Sequence, residues 1–173
     1  MRIRLAVAAT CGLLLAVVPQ TGAFAATQIE HGSYLVNTIM ACGNCHSPRD
    51  AQGKLIPDKA LSGGLKFTPP VFVATASNIT PDPETGIGTW TDDEIKRALT
   101  EGVRPNHGPL AGTPLATVMP ANFYKGLLPA DLDAIVVYLR SVKPVSNQVS
   151  DTPSWDSQVL RSRTPSLVAN TWR

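Results

Sequence analysis

Cysteine and methionine are both scarce in this chain, three of each in 173 residues. One cysteine, Cys11, lies in an N-terminal apolar run, which leaves Cys42 and Cys45. No second Cys or Cys/His pair stands elsewhere at matching spacing, and His31 and His107 are isolated. A structural zinc site needs four such ligands, which argues against zinc. Net charge is missing as well. The excess of +2 comes from Arg2 and Arg4, and beyond residue 25 thirteen basic residues balance thirteen acidic ones. No basic patch points to nucleic acid. After residue 18 no apolar run approaches the roughly 20 residues that a bilayer span requires. Strand alternation is rare and there is no internal repeat, so the chain shows no βαβ pattern.

The N-terminal apolar run, Leu5 to Val18 ("LAVAATCGLLLAVV"), is itself too short for a span. Arg2 and Arg4 precede it, Pro19 breaks it, and Ala23-Phe24-Ala25 follows. This reads as a secretory signal peptide over residues 1–25, cut after Ala25; a retained anchor is the alternative. Residues 26–145 then suit one domain with a sizeable core. Residues 146–173 form a polar tail with Trp155 and Trp172.

Three helices are expected, separated by loops rich in glycine and proline. The first covers about Gln28 to Cys45, where Tyr34, Leu35, Thr38, Ile39 and Cys42 recur at helical spacing. The second begins at a capping box, Thr91 with Glu94, with Asp92 and Asp93 in the first turn, a Trp90/Ile95 staple, and Gly102 as the stop. The third opens with Pro129 at its first position. It carries Leu132, Ile135, Val136 and Leu139 on one face, and Arg140 and Lys143 at its end before Pro144. The intervening segments, roughly 47–90 and 103–127, are long for a compact domain. Wrapping a large bound group would account for them.

The stretch "ACGNCHSP" carries the chemistry. Two thiols three apart with a histidine directly after could serve zinc, a redox dithiol or haem. A thioredoxin-like dithiol sits after a strand in a βαβ setting, whereas this motif closes a helix. C-x-x-C-H is the attachment signature of c-type haem. On a helix Cys42, Cys45 and His46 project to nearly the same side, so the two thiols can form thioethers while His46 Nε2 meets the iron. Of the three methionines, Met1 is lost with the signal and Met40 lies two residues before Cys42. Met119, in "TVMPAN", is therefore the candidate second axial ligand. His107 is the rival, and an open position, as in a gas sensor or peroxidase-like enzyme, is the third reading.

Several longer segments go with the motif: "GSYLVNTIMACGNCHSPRD", "SNITPDPETGIGTWTDDEIKRAL", "EGVRPNHGPL" leading to "VMP", and "LPADLDAIVVYLRSVKPV". Over about residues 31–145 the sequence resembles a class I c-type cytochrome. More narrowly, it is similar to the haem modules of cytochrome subunits serving bacterial periplasmic dehydrogenases for alcohols, gluconate and related substrates. The resemblance implies an all-α, cytochrome c-like fold, with three or more helices and long loops around one covalent haem c. It implies that the first and last helices cross near Gly32, with Tyr34, Leu35, Tyr138 and Leu139 packed there. Asn78, Ile79, Thr80 and Trp90 are implied to line the haem or meet its propionates.

The expected function is a periplasmic, mono-haem electron carrier rather than an enzyme. A dehydrogenase would be its donor, and a terminal oxidase or another cytochrome its acceptor. It would be a dedicated subunit docked through the tail, or a diffusing carrier. Asn78-Ile79-Thr80 also forms a glycosylation sequon, and Asp82 with Glu84 could suggest a cation site; solvated loop acids are the plainer reading. The sequence departs from its resemblance in having one C-x-x-C-H where such subunits often carry several, and in the polar tail.

Overall fold

The computed structural model describes residues 21–68 and 73–149. Most of the predicted signal segment and the tail from residue 150, with Trp155 and Trp172, lie outside the described residues. Regular structure is mostly helical: α1 (Thr21–Tyr34), α2 (Gly43–His46), α3 (Asp92–Glu101), α4 (Ala121–Tyr124) and α5 (Pro129–Ser141). One short antiparallel pair, β1 (Lys66–Phe67) and β2 (Ala74–Thr75), closes a loop, with Lys66 opposite Thr75.

The first predicted helix is not continuous. After Tyr34 the chain widens into a π-helical turn, Leu35–Ile39, in which Met40 N–H reaches back to Leu35 O at 2.8 Å. Ala41 then takes a left-handed conformation, φ +48°, and ends the helical ladder. β-Branched Val36, Thr38 and Ile39 crowd this turn and weaken the regular helix there. The expected apolar stripe breaks with it. Leu35 and Val36 are buried, whereas Thr38 and Ile39 are exposed.

α1 packs along α5 at Gly32, where an added Cβ would collide with the Ala134 carbonyl oxygen and come within 2.6 Å of Tyr138 Cβ. The crossing is where the resemblance implied it, with Leu35 and Leu139 buried. Tyr34 corrects the expectation, because it is 54% exposed. Two residues turn a helix by about 200°, so Tyr34 points away from the face that Gly32 presents. Tyr138 sits partly buried at the contact, and its hydroxyl accepts from Asn37 Nδ2 at 2.7 Å.

α3 starts on the expected capping box. Thr91 Oγ1 accepts from Glu94 N–H at 3.3 Å, and Glu94 Oε2 accepts from Thr91 N–H at 2.8 Å. Gly102 ends it at φ +70°. Ile95 and Leu99 enter a core formed with Leu35, Val36, Leu61, Ile87, Ile135, Val136 and Leu139. Arg140 was read only as an end charge on α5. Its guanidinium instead donates to the carbonyls of Ile87, Gly88 and Trp90 and meets Asp92 at 3.0 Å, tying α5 to the start of α3.

Beyond α5 the chain turns back over the 78–85 loop. Val145 O accepts from Asn78 Nδ2 at 2.7 Å, and Asn147 N–H donates to Thr85 Oγ1 at 2.9 Å. Val149 is buried. The first four residues of the predicted tail thus form a strap on the domain.

Candidate cofactor site

Cys42, Cys45 and His46 lie on one helical turn. His46 N–H bonds to Cys42 O at 2.9 Å and Ser47 N–H to Gly43 O at 3.1 Å. All three side chains line a cavity of about 670 Å³. Cavities of roughly 300–1,000 Å³ suit small-molecule and cofactor ligands. Its walls carry Val36, Ile79, Ile95, Leu99, Ile135 and Leu139 from the core, with Phe67, Leu110 and Leu115 from the long loops. Both long loops that lacked regular structure in the sequence therefore border the cavity.

The histidine is oriented from outside its own turn. His46 Nδ1 lies 2.7 Å from Ser77 O. A carbonyl only accepts, so Nδ1 carries the hydrogen and Nε2 the lone pair. Burial lowers the imidazole pKa and the Ser77 carbonyl partly offsets that, which favours the neutral, ligating form. Gly63 N–H holds the His46 carbonyl at 2.6 Å. Gly63 has φ +80°, and a side chain there would strike Ala76 O. Burial, with neighbouring Cys45, pushes the Cys42 thiol up to about 11. Neither cysteine is in a disulfide.

Met119 stands in the cavity wall, partly buried, in a turn closed by Met119 N–H to Ala116 O at 2.9 Å. It comes from the 103–127 segment, remote in sequence from the thiols. Met40 also borders the cavity, next to the motif. His107 lines the wall too, but its Nε2 lies 3.3 Å from the Glu94 carboxylate and the ring is half exposed. Thus neutral thioether, thiol and imidazole donors converge on an apolar space. That donor set fits a covalently tethered haem.

No family model matches the chain. Curated relatives do. It is 32% identical over 151 residues to the gluconate 2-dehydrogenase cytochrome c subunit of Pantoea cypripedii, covering 81% of this chain and 31% of that one. It is 37% identical over 115 residues to the fructose dehydrogenase cytochrome subunit of Gluconobacter japonicus, covering 65% and 22%. Over 103 residues it is 30% identical to a diheme cytochrome c-type protein of Cereibacter sphaeroides, covering 60% and 32%. This chain is a homologue of the cytochrome c subunits of bacterial dehydrogenases. It spans about a third or less of the length of these relatives. They give no support to a gas sensor. No helix among the described residues of this cytochrome homologue is long and apolar enough to cross a membrane.

The remaining predicted cofactor contacts divide. Asn78, Ile79 and Trp90 border the cavity; Thr80 does not. Thr80 is fully buried, and its hydroxyl is spent on Asn78 Oδ1 at 2.8 Å and on the strap at Val145. The Asn78 amide is also committed, donating to Thr85 Oγ1 and Val145 O and accepting from Thr80. Both residues serve the loop's framework, and the same burial closes the sequon. Asp82 Oδ1 accepts from Thr85 N–H at 2.7 Å and from the Thr85 hydroxyl at 2.8 Å, which holds its carboxyl below the usual range. It closes a turn of the 78–85 loop.

Arg104 was not singled out from the sequence, although it lies inside the quoted "EGVRPNHGPL". It borders the cavity and donates to Pro114 O at 2.8 Å, beside the Val103–Pro114 bridge. A lone arginine between a helix stop and a proline gives no local signal of that position.

Proposed function

We propose that this chain is a mono-haem c-type cytochrome module, exported to the periplasm, that carries single electrons and does no substrate chemistry itself. The observation that carries the reading is the Cys42–His46 turn. It sets two thiols and a correctly protonated imidazole on the wall of one apolar cavity. Bound there, haem would supply a one-electron iron couple. Cys42 and Cys45 would tether it as thioethers, and His46 Nε2 and the Met119 sulfur would hold its iron. A His/Met pair raises a haem potential, which suits taking electrons from a dehydrogenase. The apolar wall excludes water and favours the same direction.

The names of the relatives support a dehydrogenase as donor; a terminal oxidase or another cytochrome is the acceptor in this reading. The test is the absorption spectrum of the oxidised protein. The thioether–iron charge-transfer band should be present in the parent and lost in Met119→Ala. A parent without the band overturns Met119 as ligand. Extraction of haem by acidified organic solvent should succeed only from Cys42→Ala/Cys45→Ala, and release from the parent would refute the covalent tether.

A further inference from the structure

Two hydrogen bonds fix His46 to the rest of the fold, and neither partner lies on its own turn. Ser77 O takes the ring Nδ1–H and Gly63 N–H holds the main-chain carbonyl. Both partners sit in irregular loop. The two loop stretches hold each other, through Gly64 N–H to Ala76 O at 2.8 Å and Ile79 N–H to Leu61 O at 3.0 Å. Leu61 N–H to Ser47 Oγ at 2.9 Å ties the first stretch to the motif's own end, and two asparagines tie both stretches to the chain beyond α5.

Asn78 follows Ser77 directly and is 2% exposed. Its amide makes four internal bonds, to Thr85 Oγ1, to Val145 O, and from the Thr80 N–H and hydroxyl. Asn147 lies in the strap beyond α5. Its Nδ2 donates 2.8 Å to the carbonyl of Ser62, the residue before Gly63, and its N–H donates 2.9 Å to Thr85 Oγ1. One asparagine therefore braces the residue beside each partner of His46, and the two braces meet on one hydroxyl. Asn78 and Thr80 are buried and Thr85 and Asn147 partly so, and such interlinked hydrogen bonds restrict the loops to one arrangement.

We propose that Asn78 and Asn147, joined through Thr85, are positioning residues that hold the Ser77 and Gly63 groups against His46 and so set how strongly its Nε2 donates to the iron. The proposal rests on His46 being an iron ligand. A hydrogen bond at the far ring nitrogen fixes a ligating histidine's orientation and raises its basicity. That bond weakens steeply with angle, so a small drift of the Ser77 carbonyl reaches the metal. The strap crosses from α5 to the proximal loop, so the last helix and the ligand orientation are coupled.

The test uses the haem-loaded full chain with Asn147→Ala, Thr85→Val and Thr85→Ser. Asn147 and Ser62 do not border the cavity, so Asn147→Ala touches no bound group. In Asn147→Ala and Thr85→Val the His46 Nδ1–H resonance should exchange with solvent about tenfold faster, as for loss of about one net hydrogen bond. The reduction potential should shift positive, because a less basic imidazole stabilises the oxidised iron less. Thr85→Ser keeps the hydroxyl and should restore both readouts. Tyr138→Phe, which removes a bond elsewhere on α5, should move neither. If His46 gives a hyperfine-shifted resonance in the parent and Asn147→Ala leaves exchange and potential unchanged, the clamp is refuted while the ligand stands. A parent lacking that resonance refutes the ligand itself.

Discussion

Alanine at Gly32 would test the crossing that brings the two ends of the domain together. The built Cβ meets the Ala134 carbonyl oxygen and Tyr138 Cβ, the latter at 2.6 Å. Neither obstacle is a flexible tip, so relief requires α1 and α5 to separate. Val36, Ile135 and Val136 beside them are at most 2% exposed and have no slack. Overpacking of this kind costs about 1–3 kcal/mol, and rigid obstacles put it at the upper end. Against that, alanine gains about 1 kcal/mol of helix propensity over glycine. The net expectation is a loss of about 2 kcal/mol, by difference of those two figures. Urea unfolding of the haem-loaded chain, followed by helical circular dichroism, should show a lower midpoint at unchanged slope. Gly126→Ala is the control. Its Cβ meets nothing within 4 Å, so it should be neutral or gain up to about 1 kcal/mol. Equal stability of the two variants would refute the close-approach argument.

Arg140→Met should cost about 1–2 kcal/mol, discounted for a guanidinium that is partly solvated, because three loop carbonyls lose a charged donor. Arg140→Lys should recover little of it, since a point charge cannot span those carbonyls; equal denaturation midpoints for Lys and Arg would contradict this. Thr91→Ala should cost about 1 kcal/mol by removing the helix cap, read from the same midpoint. The Thr91 backbone N–H, with His107 adding to it, holds the Glu94 carboxyl below its ordinary range. A depressed carboxylate stabilises the fold above its unfolded pKa, and that contribution is lost as pH falls through the folded one. The midpoint of the parent should therefore fall more steeply than that of Glu94→Gln as pH drops through about 4 and below. Parallel profiles would show that the Glu94 bond to the Thr91 N–H contributes nothing.

Features with a local cause were legible in the sequence. The Thr91–Glu94 box, the Gly102 stop and Pro129 at the head of α5 each need only a few neighbouring residues, and the structure has all three. The Cys42–His46 turn belongs with them, whereas the close approach at Gly32 was implied only by the family resemblance. What stayed hidden depends on partners far along the chain. Asn147 meets Ser62 across 85 residues, Asn78 meets Val145 across 67, and Arg140 reaches the Trp90 carbonyl across 50. The resemblance made Asn78 a cofactor contact, and Asn147 fell in the polar tail with no role assigned, because an amide's partners leave no periodic trace.

The break before the motif has a reason that periodicity alone inverts. Seven residues turn a straight α-helix by about 700°, so Cys42 would fall within about 20° of Leu35. Leu35 is buried on the α5 side. An unbroken helix from Gln28 to Cys45 would thus aim the first thiol at the helix crossing instead of into the cavity. The π-helical turn Leu35–Ile39 and left-handed Ala41 re-aim the chain, and Cys42, Cys45 and His46 then share the cavity wall. A left-handed alanine costs about 1–2 kcal/mol, and such strain persists where surrounding contacts fix it. Here Cys42 N–H to Val36 O at 2.9 Å spans the break and holds it. The regular amphipathic stripe that suggested one long helix is what the site had to interrupt.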